Sequence, residues 1–397
     1  MPVLKNPLLP LLFFAAIALS ACSSIDLQTG FRRDSAIEAR IIDQTADTYA
    51  HIDPLFISDE IKALLDAQID PADDDQARVE TIQDILYGSD FLNLQYYATP
   101  TYTALETFET GQGNCLSAMN LFIAMARYAG VDAQFQTVEV RPHWDSKNDL
   151  LVLSNHINAT GKFSFQRSYV VDFTPEIALQ QLTSREVSDL YARALYFNNL
   201  GVEAMIEDDL DQAFSYFKNA LFLEPEMSIA WNNIGANYKR AGDEELAEYS
   251  YHMAFLTEDT NATAVSNLSR YYRETGAQDK AEEYRVAIER FNERNPYYHF
   301  ARGQVAWGEK DLPTAAESFR KALDLKKTEP DFYLALAAVH ELLGDEEGAA
   351  AMEQSAADLI AGNARIFRPS AQKLRIIDSS RILRDHRPGT TINFENL

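Results

Sequence analysis

The sequence predicts an α+β domain, in which a helix packs on an antiparallel sheet, followed by an all-helical solenoid. Between residues 53 and 190, helical spacing of apolar residues gives way to an alternation of apolar and polar residues that is typical of half-buried strands. From residue 191 to 362 the chain repeats every 34 residues, as shown by Ala213, Ala247, Ala281, Ala315 and Ala349. At 397 residues the chain is long enough for two or three domains.

Residues 1–21 have the composition of a secretory signal peptide. Lys5 precedes an apolar run from Leu8 to Leu19, which is too short for a permanent membrane span. The ending Leu-Ser-Ala-Cys22 resembles the lipobox of bacterial lipoproteins, and Ser23 resembles their signal for export to the outer membrane. This resemblance implies a lipid on Cys22 and a protein of the cell envelope, anchored in the outer membrane and facing the periplasm. The alternative is an ordinary cleaved signal. Residues 22–52 are interpreted as a tether and a first helix.

The formal net charge of −25 argues against nucleic acid and anionic membrane surfaces as partners. Histidines and cysteines show no ligand spacing, so we expect neither a metal nor a cofactor. If Cys22 carries lipid, Cys115 is the only remaining thiol and has no intramolecular disulfide partner. An unpaired cysteine in an oxidising compartment favours a chemical role over a structural one.

The elements of the first domain follow from local signals. Ser58 is the N-cap of a predicted helix, residues 76–87 form a second helix, and residues 96–104 are extended. After the turn at residues 111–113, Cys115 begins an apolar helix that ends at Gly130. The amides and dipole at a helix N-terminus favour a thiolate, whereas the alternative for Cys115 is a small buried core residue.

Three strands follow this helix, at residues 131–140, 150–159 and 165–173, with a polar loop at 141–149 and a turn at Gly161. His156 lies on the second strand and Asp172 on the third, so a short hairpin is expected to bring both to one face. With Cys115 on a helix over that sheet, thiol, imidazole and carboxylate would suit nucleophilic catalysis. Taken singly, His156 could be a structural strand histidine and Asp172 a turn residue.

This order of motifs resembles the transglutaminase-like superfamily of papain-related thiol enzymes. The resemblance rests on Gly113-Asn-Cys115, His156 and Val-Val-Asp172-Phe-Thr, and covers roughly residues 85–180. It implies that Cys115 is the nucleophile, His156 the base and Asp172 the orienting carboxylate. The chain departs from the family pattern after the histidine, where Ile157-Asn158 stands in place of a tryptophan, and after the aspartate, where Phe173 replaces a proline.

Two further residues are candidates for the cleft. Gln112, just upstream of the cysteine, is a possible side-chain donor to an oxyanion, next to the backbone amide of Cys115. Trp144, together with His143, lies in the loop after the first strand and would line the cleft. Loop polarity and aromatic anchoring are alternatives for these residues.

The second half resembles five tetratricopeptide repeats over residues 191–362. Small residues at Gly201, Gly235 and Ser269 keep one phase and would let two antiparallel helices approach. Such solenoids receive peptides or partner helices in their inner groove, and Asn199, Asn233 and Asn267 repeat on the inner helix, where asparagine can pair with a bound backbone. A structural role explains these asparagines equally well. The basic tail, residues 363–397, either folds back on the acidic body or contacts anionic envelope polymers.

These observations predict a lipid-anchored envelope enzyme that cleaves or transfers an amide or peptide bond through Cys115, His156 and Asp172. We expect it to be a cysteine peptidase or amidase, although the sequence leaves acyl transfer open, and its repeats are expected to bind a protein or peptide. The alternative is a catalytically inactive scaffold or assembly protein of the envelope that acts through its repeats.

Overall fold

The computed structural model describes residues 25–138, 144–147, 150–153, 156–164, 167–173, 184–369 and 374–378. The predicted signal peptide, Cys22 and His143 lie outside these ranges, and so do the side chains of Trp144 and His156. No helix in the described ranges is long and apolar enough to cross a membrane.

The described residues of the N-terminal part include five capped helices. They are α1 (Ser35–Ile42), α2 (Asp59–Gln68), α3 (Asp75–Tyr87), α4 (Ala104–Thr110) and α5 (Cys115–Tyr128). Ser58 caps α2 as predicted, because its side chain accepts from the amide of Ile61. Helix α4, which we did not predict, begins with a complete capping box between Thr103 and Glu106. Gly130 ends α5 with a φ of 80°, as its position in the sequence indicated.

A six-stranded sheet has the order β8-β3-β6-β7-β10-β9. The strands are β3 (Gln134–Val138), β6 (His156–Ser164), β7 (Arg167–Val171), β8 (Ser184–Val187), β9 (Phe367–Pro369) and β10 (Leu374–Asp378). Two smaller pairs accompany it, a parallel one of β1 (Gln95–Tyr96) with β2 (Gln112–Gly113) and an antiparallel one of β4 (Trp144–Lys147) with β5 (Leu150–Leu153). The strand predicted at residues 150–159 is therefore two strands in different sheets, which is a correction.

The turn predicted at Gly161 is also wrong, because this residue lies inside β6 and pairs with Tyr169. A Cβ atom at Gly161 would lie 1.9 Å from the carbonyl oxygen of Asp132 and 2.7 Å from the Tyr169 ring. Glycine is used here for close approach of the backbone rather than for a turn.

Helices α3 and α5 cover one face of the sheet. Residues 116–126 of α5 are all buried, and the Phe122 ring meets the Tyr169 ring of β7 edge-on, with centroids 6.3 Å apart. Helix α3 runs alongside β7: Gln76 at its start accepts a hydrogen bond from Arg167, and Tyr87 at its end packs on Phe173. This arrangement confirms the predicted α+β class and brings the start of α5 and the end of α3 to the same end of β7.

The chain continues as antiparallel helix pairs. They are α6 (Asp189–Ile206), α7 (Leu210–Leu223), α8 (Ser228–Ala241), α9 (Glu244–Thr257), α10 (Ala262–Glu274), α11 (Gln278–Glu293), α12 (Pro296–Gly308), α13 (Leu312–Leu325), α14 (Pro330–Leu342) and α15 (Glu346–Ile366). The alanines that recur every 34 residues are all buried. A Cβ atom at Gly201 would lie 2.5 Å from the Phe217 ring, and one at Gly303 2.4 Å from the Phe319 ring. The small residues therefore accept an aromatic ring from the second helix of their own repeat, as the solenoid prediction requires.

Residues 22–52 were predicted to be a tether and a first helix, and we call their described part, residues 25–52, the N-terminal segment. The helix is α1, but the rest of the segment packs against the second helices of the first two repeats. The Gln44 side chain donates to the side-chain oxygen of Asn219 on α7 at 2.9 Å. The Phe31 ring stacks on the His252 ring of α9, with ring centroids 4.7 Å apart. Arg193 of α6 bonds to the side chain of Asp47 and to two carbonyl groups of the segment. These side-chain contacts, rather than a polar linker composition, decide its conformation.

The start of the basic tail returns to the first domain. Strand β10 pairs antiparallel with β7, with Leu374 opposite Val171 and Asp378 opposite Arg167. Of the two alternatives for the tail, the described part therefore folds back on the protein. Residues 379–397 lie outside the described ranges.

Candidate functional site

Cys115 is the first residue of α5, and its side chain is half-buried. Asn114 precedes it as the N-cap, with its side-chain oxygen accepting from the Ser117 amide at 3.0 Å. At Gly113 a Cβ atom would lie 2.6 Å from the Ser117 Cβ, so only glycine lets the chain turn this tightly into the helix. The motif Gly113-Asn-Cys115 thus places a thiol at a helix N-terminus, where backbone N–H groups lack partners within the helix.

Asp172 follows the last residue of β7 and is 2% exposed. Its Oδ2 atom accepts from the Nδ2 group of Asn158, which lies in β6 and is fully buried, at 3.2 Å. Ala159 pairs with Val171, so the residues just beyond this pair, Asn158 and Asp172, face each other across the strands. A buried polar group requires such a hydrogen bond to offset the loss of its contacts with water.

His156 is the first residue of β6, and its backbone pairs with Val138. It lies two residues before Asn158, and residues two apart in a strand share a face. The register therefore places His156 near the end of the sheet that carries Asp172. The two residues are diagonal neighbours on adjacent strands, with Cα atoms about 7–8 Å apart. The side chain of His156 lies outside the described part of the chain, so its role stays a prediction.

Tyr87 is a residue of this region that we did not predict from the sequence. Burial raises the pKa of its hydroxyl, and electrostatic interactions with Asp172 and Cys115 add to the rise. The hydroxyl is therefore neutral and lies within electrostatic reach of both groups. Its ring centroid is 5.5 Å from that of Phe173, the residue after the buried aspartate. No sequence signal distinguishes Tyr87 from any other aromatic residue at the end of an amphipathic helix.

A hydrogen-bond network holds the start of α5. The Asn114 Nδ2 group donates to the Thr101 hydroxyl at 2.7 Å, and the Tyr102 amide donates to the Ser117 hydroxyl at 2.8 Å. The amide and hydroxyl of Thr101 both donate to one oxygen of Glu203, each at 2.7 Å. Glu203 lies on α6, the first helix of the repeats. The network therefore crosses from the residue before Cys115 to the repeat domain.

The two candidates for the cleft have different surroundings. Gln112 is exposed, and its backbone lies in β2 next to Gln95. It remains a candidate donor beside the backbone amide of Cys115. Trp144 begins β4, opposite Leu153, and its position relative to the cleft stays a prediction. Among the described residues, no group of three or more His, Cys, Asp and Glu side chains has the arrangement of a metal site.

The repeated asparagines form contacts between repeats. Asn233 donates to the side chain of Asn198 at 2.9 Å, and Asn267 donates to that of Asn232 at 3.0 Å. Asn199, Asn233 and Asn267 are all half-buried. For Asn233 and Asn267, one N–H group is thus used in joining consecutive repeats, which gives the structural alternative a concrete form. Binding of a peptide backbone by the remaining groups stays a prediction.

The chain is similar to several known proteins. Residues 62–172 match the family model of the transglutaminase-like superfamily, a range that includes Cys115, His156 and Asp172. The tetratricopeptide repeat domain-containing protein PYG7 of Arabidopsis thaliana, a chloroplastic protein, is 33% identical over 86 residues, which are 22% of this chain and 29% of that protein. The chain thus spans less than a third of that relative's length.

Solved structures with similar helical repeats include a crystal structure of MamA. It is 18% identical and covers 42% of this chain and 96% of its own, with a TM-score of 0.24. PilF of Pseudomonas aeruginosa is 19% identical and covers 43% of this chain and 78% of its own, with a TM-score of 0.26. The helix pairing and the 34-residue period define this part of the chain as tetratricopeptide-like repeats. Repeats of this kind generally bind protein partners, and their fusion to a transglutaminase-like domain suggests a protein-interaction scaffold.

Proposed function

Because residues 62–172 form a transglutaminase-like domain, we propose that this protein is a thiol enzyme of the cell envelope that cleaves or transfers an amide bond. Its catalytic groups are Cys115, His156 and Asp172, it is anchored by a lipid on Cys22, and its repeats hold the protein or peptide substrate. The observation that carries the proposal is the half-buried thiol at the start of α5, close to the end of β7 where Asp172 is buried.

The proposed reaction proceeds through an acyl-enzyme. His156 takes the thiol proton as the Cys115 sulfur attacks the amide carbonyl, so an S–C bond forms and negative charge develops on the carbonyl oxygen. The backbone N–H of Cys115, at the helix start, supports that charge. The C–N bond then breaks, and the amine leaves with the proton held by His156. Water or another amine attacks the thioester, releases a carboxylic acid or a new amide, and returns the proton to sulfur.

Asp172 is proposed to orient His156 and to stabilise its charged form. The supporting observation is that one carboxylate oxygen is already held by Asn158, so the carboxylate has a fixed orientation before substrate binds. Hydrolysis is favoured over transfer, because water is the default acceptor unless the pocket excludes it.

Trapping on a Cys115→Ala variant tests this function. The full-length variant, immobilised and incubated with envelope extract, should retain a peptide or protein that wild-type protein releases in altered form. Mass spectrometry of the released product identifies the amide, and incorporation of ¹⁸O from labelled water distinguishes hydrolysis from amine transfer.

Alkylation supplies the matching control. Cys115 in the native protein should react with iodoacetamide near pH 7 much faster than a free thiol, and His156→Ala should move the pH profile of labelling upward. Two results together would contradict catalysis: Cys115 is labelled only after denaturation, and wild-type and Cys115→Ala protein retain the same unaltered partner from the extract. They would favour a non-catalytic scaffold that acts through the repeats.

A further inference from the structure

We propose that Glu203, a residue of the first repeat, is a positioning residue for Cys115, so that the repeat domain completes the N-terminus of the nucleophile helix. This inference rests on the proposed function only in assigning the thiol its role. The Glu203 carboxylate fixes the loop of residues 101–103 and, through this loop, the N-cap of α5.

Each link in the connection is a short hydrogen bond between buried or half-buried groups. One oxygen of Glu203 accepts from both the amide and the hydroxyl of Thr101 at 2.7 Å, and Thr101 is only 3% exposed. The Thr101 hydroxyl donates a hydrogen bond to Glu203, so the lone pairs of the hydroxyl oxygen are free to accept one. They accept from the side-chain Nδ2 group of Asn114 at 2.7 Å. A charged acceptor makes these bonds stronger than neutral ones.

The orientation of the Asn114 amide is fixed by this donation. With Nδ2 directed at Thr101, the Oδ1 atom faces α5 and accepts from both the amide and the hydroxyl of Ser117 at 3.0 Å. Ser117 in turn accepts from the Tyr102 amide, which closes the network back onto the loop of Thr101. In the sequence, Cys115 lies between Asn114 and Ser117, the N-cap and the helix residue that this network joins. Loss of Glu203 therefore loosens both the loop and the cap.

The position of Glu203 on α6 relates the nucleophile loop to the expected substrate-binding face of the repeats. It lies one helical turn after Asn199, so both residues are on one face of the first repeat helix. A polypeptide held at Asn199 would lie next to the carboxylate that anchors the nucleophile loop. The first repeat is thus part of the catalytic support as well as the substrate-binding array.

Amide hydrogen exchange on full-length protein tests the inference without any substrate. Glu203→Ala should raise exchange at residues 101–103 and 114–118 by about fivefold, the effect expected of a lost helix cap. Residues of α13, whose buried side chains belong to a separate apolar cluster, should keep their protection. Glu203→Gln retains an oxygen that can accept both hydrogen bonds from Thr101 and should restore most of the wild-type protection, because only the charge of the acceptor is lost. Glu207→Ala, an exposed glutamate one turn further along, is the matched control.

Iodoacetamide labelling of Cys115 in the same variants provides the second readout. Glu203→Ala should slow labelling at pH 7 about fivefold and move its pH profile upward, and Glu203→Gln should reverse both changes. Unchanged exchange at 114–118 in Glu203→Ala would overturn the inference, and so would a Glu203→Gln variant that behaves like Glu203→Ala. A wild-type Cys115 that is inert to iodoacetamide would contradict the proposed enzyme, while the exchange result would still decide the role of Glu203.

Discussion

At the scale of single residues, the buried Asp172 is the residue at the end of β7 that is proposed to orient His156. It is 2% exposed, and one of its carboxylate oxygens accepts a hydrogen bond from the side-chain amide of Asn158. The Asn158 Oδ1 atom is buried and has no hydrogen-bond partner within the described part of the chain. An aspartate in this setting can support an imidazolium, whereas an asparagine cannot supply the charge.

Asp172→Asn should therefore reduce the reactivity of Cys115 while the fold is retained. The Asn158 N–H group can still donate to the new carbonyl oxygen, so we expect little loss of stability. Without the negative charge, His156⁺ is less stable, and iodoacetamide labelling at pH 7 should slow at least about tenfold. Asp66→Asn, which removes an exposed carboxylate that accepts from Tyr128, is the control. Equal labelling rates in wild-type and Asp172→Asn protein would exclude the proposed role.

The residues that sequence could predict are those whose signal is local. Gly113, Asn114 and Cys115 are adjacent, and the periodicity after them specifies a helix, so the thiol could be placed at a helix start. Tyr87 and Glu203 could not be found, because their importance arises from contacts with residues 85 and 102 positions away along the chain. Gly161 was misinterpreted for a related reason: its approach to Asp132 and Tyr169 is tertiary, and the local sequence resembles a turn.

At the scale of elements, the first, second and fourth repeats each have a glycine on the first helix that packs against an aromatic ring of the second helix. The third repeat departs from this pattern, with Ser269 in the glycine position and Arg285 in the ring position. Arg285 is exposed and pairs with Glu282 and Glu289, and the Ser269 hydroxyl donates to the carbonyl of Ala281 at 2.9 Å. A hydrogen bond thus replaces ring packing, which explains why the period survives there without its aromatic residue.

Gly303→Ala should destabilise the fourth repeat, because the added methyl group would lie 2.4 Å from the Phe319 ring. Overpacking of this kind costs about 1–3 kcal/mol. Gly308→Ala, at the end of the same helix, meets nothing within 4 Å and should be neutral or slightly stabilising. Chemical denaturation of both variants, with exchange at α12 and α13 as the local probe, measures the difference. Equal stability of the two variants would show that Phe319 moves aside without cost.

At the scale of the whole molecule, buried apolar side chains form two clusters in the described part of the chain. One extends from the first domain through the third repeat, and the other is confined to the fourth and fifth repeats. The N-terminal segment belongs to the larger cluster, through Ile25 and Ile41. The first domain, the first three repeats and the N-terminal segment are therefore expected to unfold together, while the last two repeats have a separate core.

His252 on α9 links the stability of the larger unit to pH. Its ring is 7% exposed, stacks on Phe31 of the N-terminal segment, and has its Nε2 atom 2.9 Å from the Tyr272 hydroxyl. Burial lowers its pKa from 6.5 to about 4, with Glu248 opposing and Lys280 reinforcing the change. The folded protein therefore holds His252 neutral across a pH range in which the unfolded chain binds a proton.

His252 destabilises the folded protein only when the pH falls below 6.5. Above pH 6.5 neither state is protonated and His252 has no effect on the free energy of unfolding; as pH falls toward 4 the unfolded state is favoured, by about 3 kcal/mol in total. His252→Gln removes this titration, so urea unfolding of the variant between pH 7 and 4 should show a correspondingly weaker loss of stability than wild type. The exposed His51→Gln variant should follow wild type. If His252→Gln and wild type lose stability in parallel, His252 is already protonated or solvated in the folded protein, and its stacking on Phe31 does not hold the N-terminal segment in a pH-dependent way.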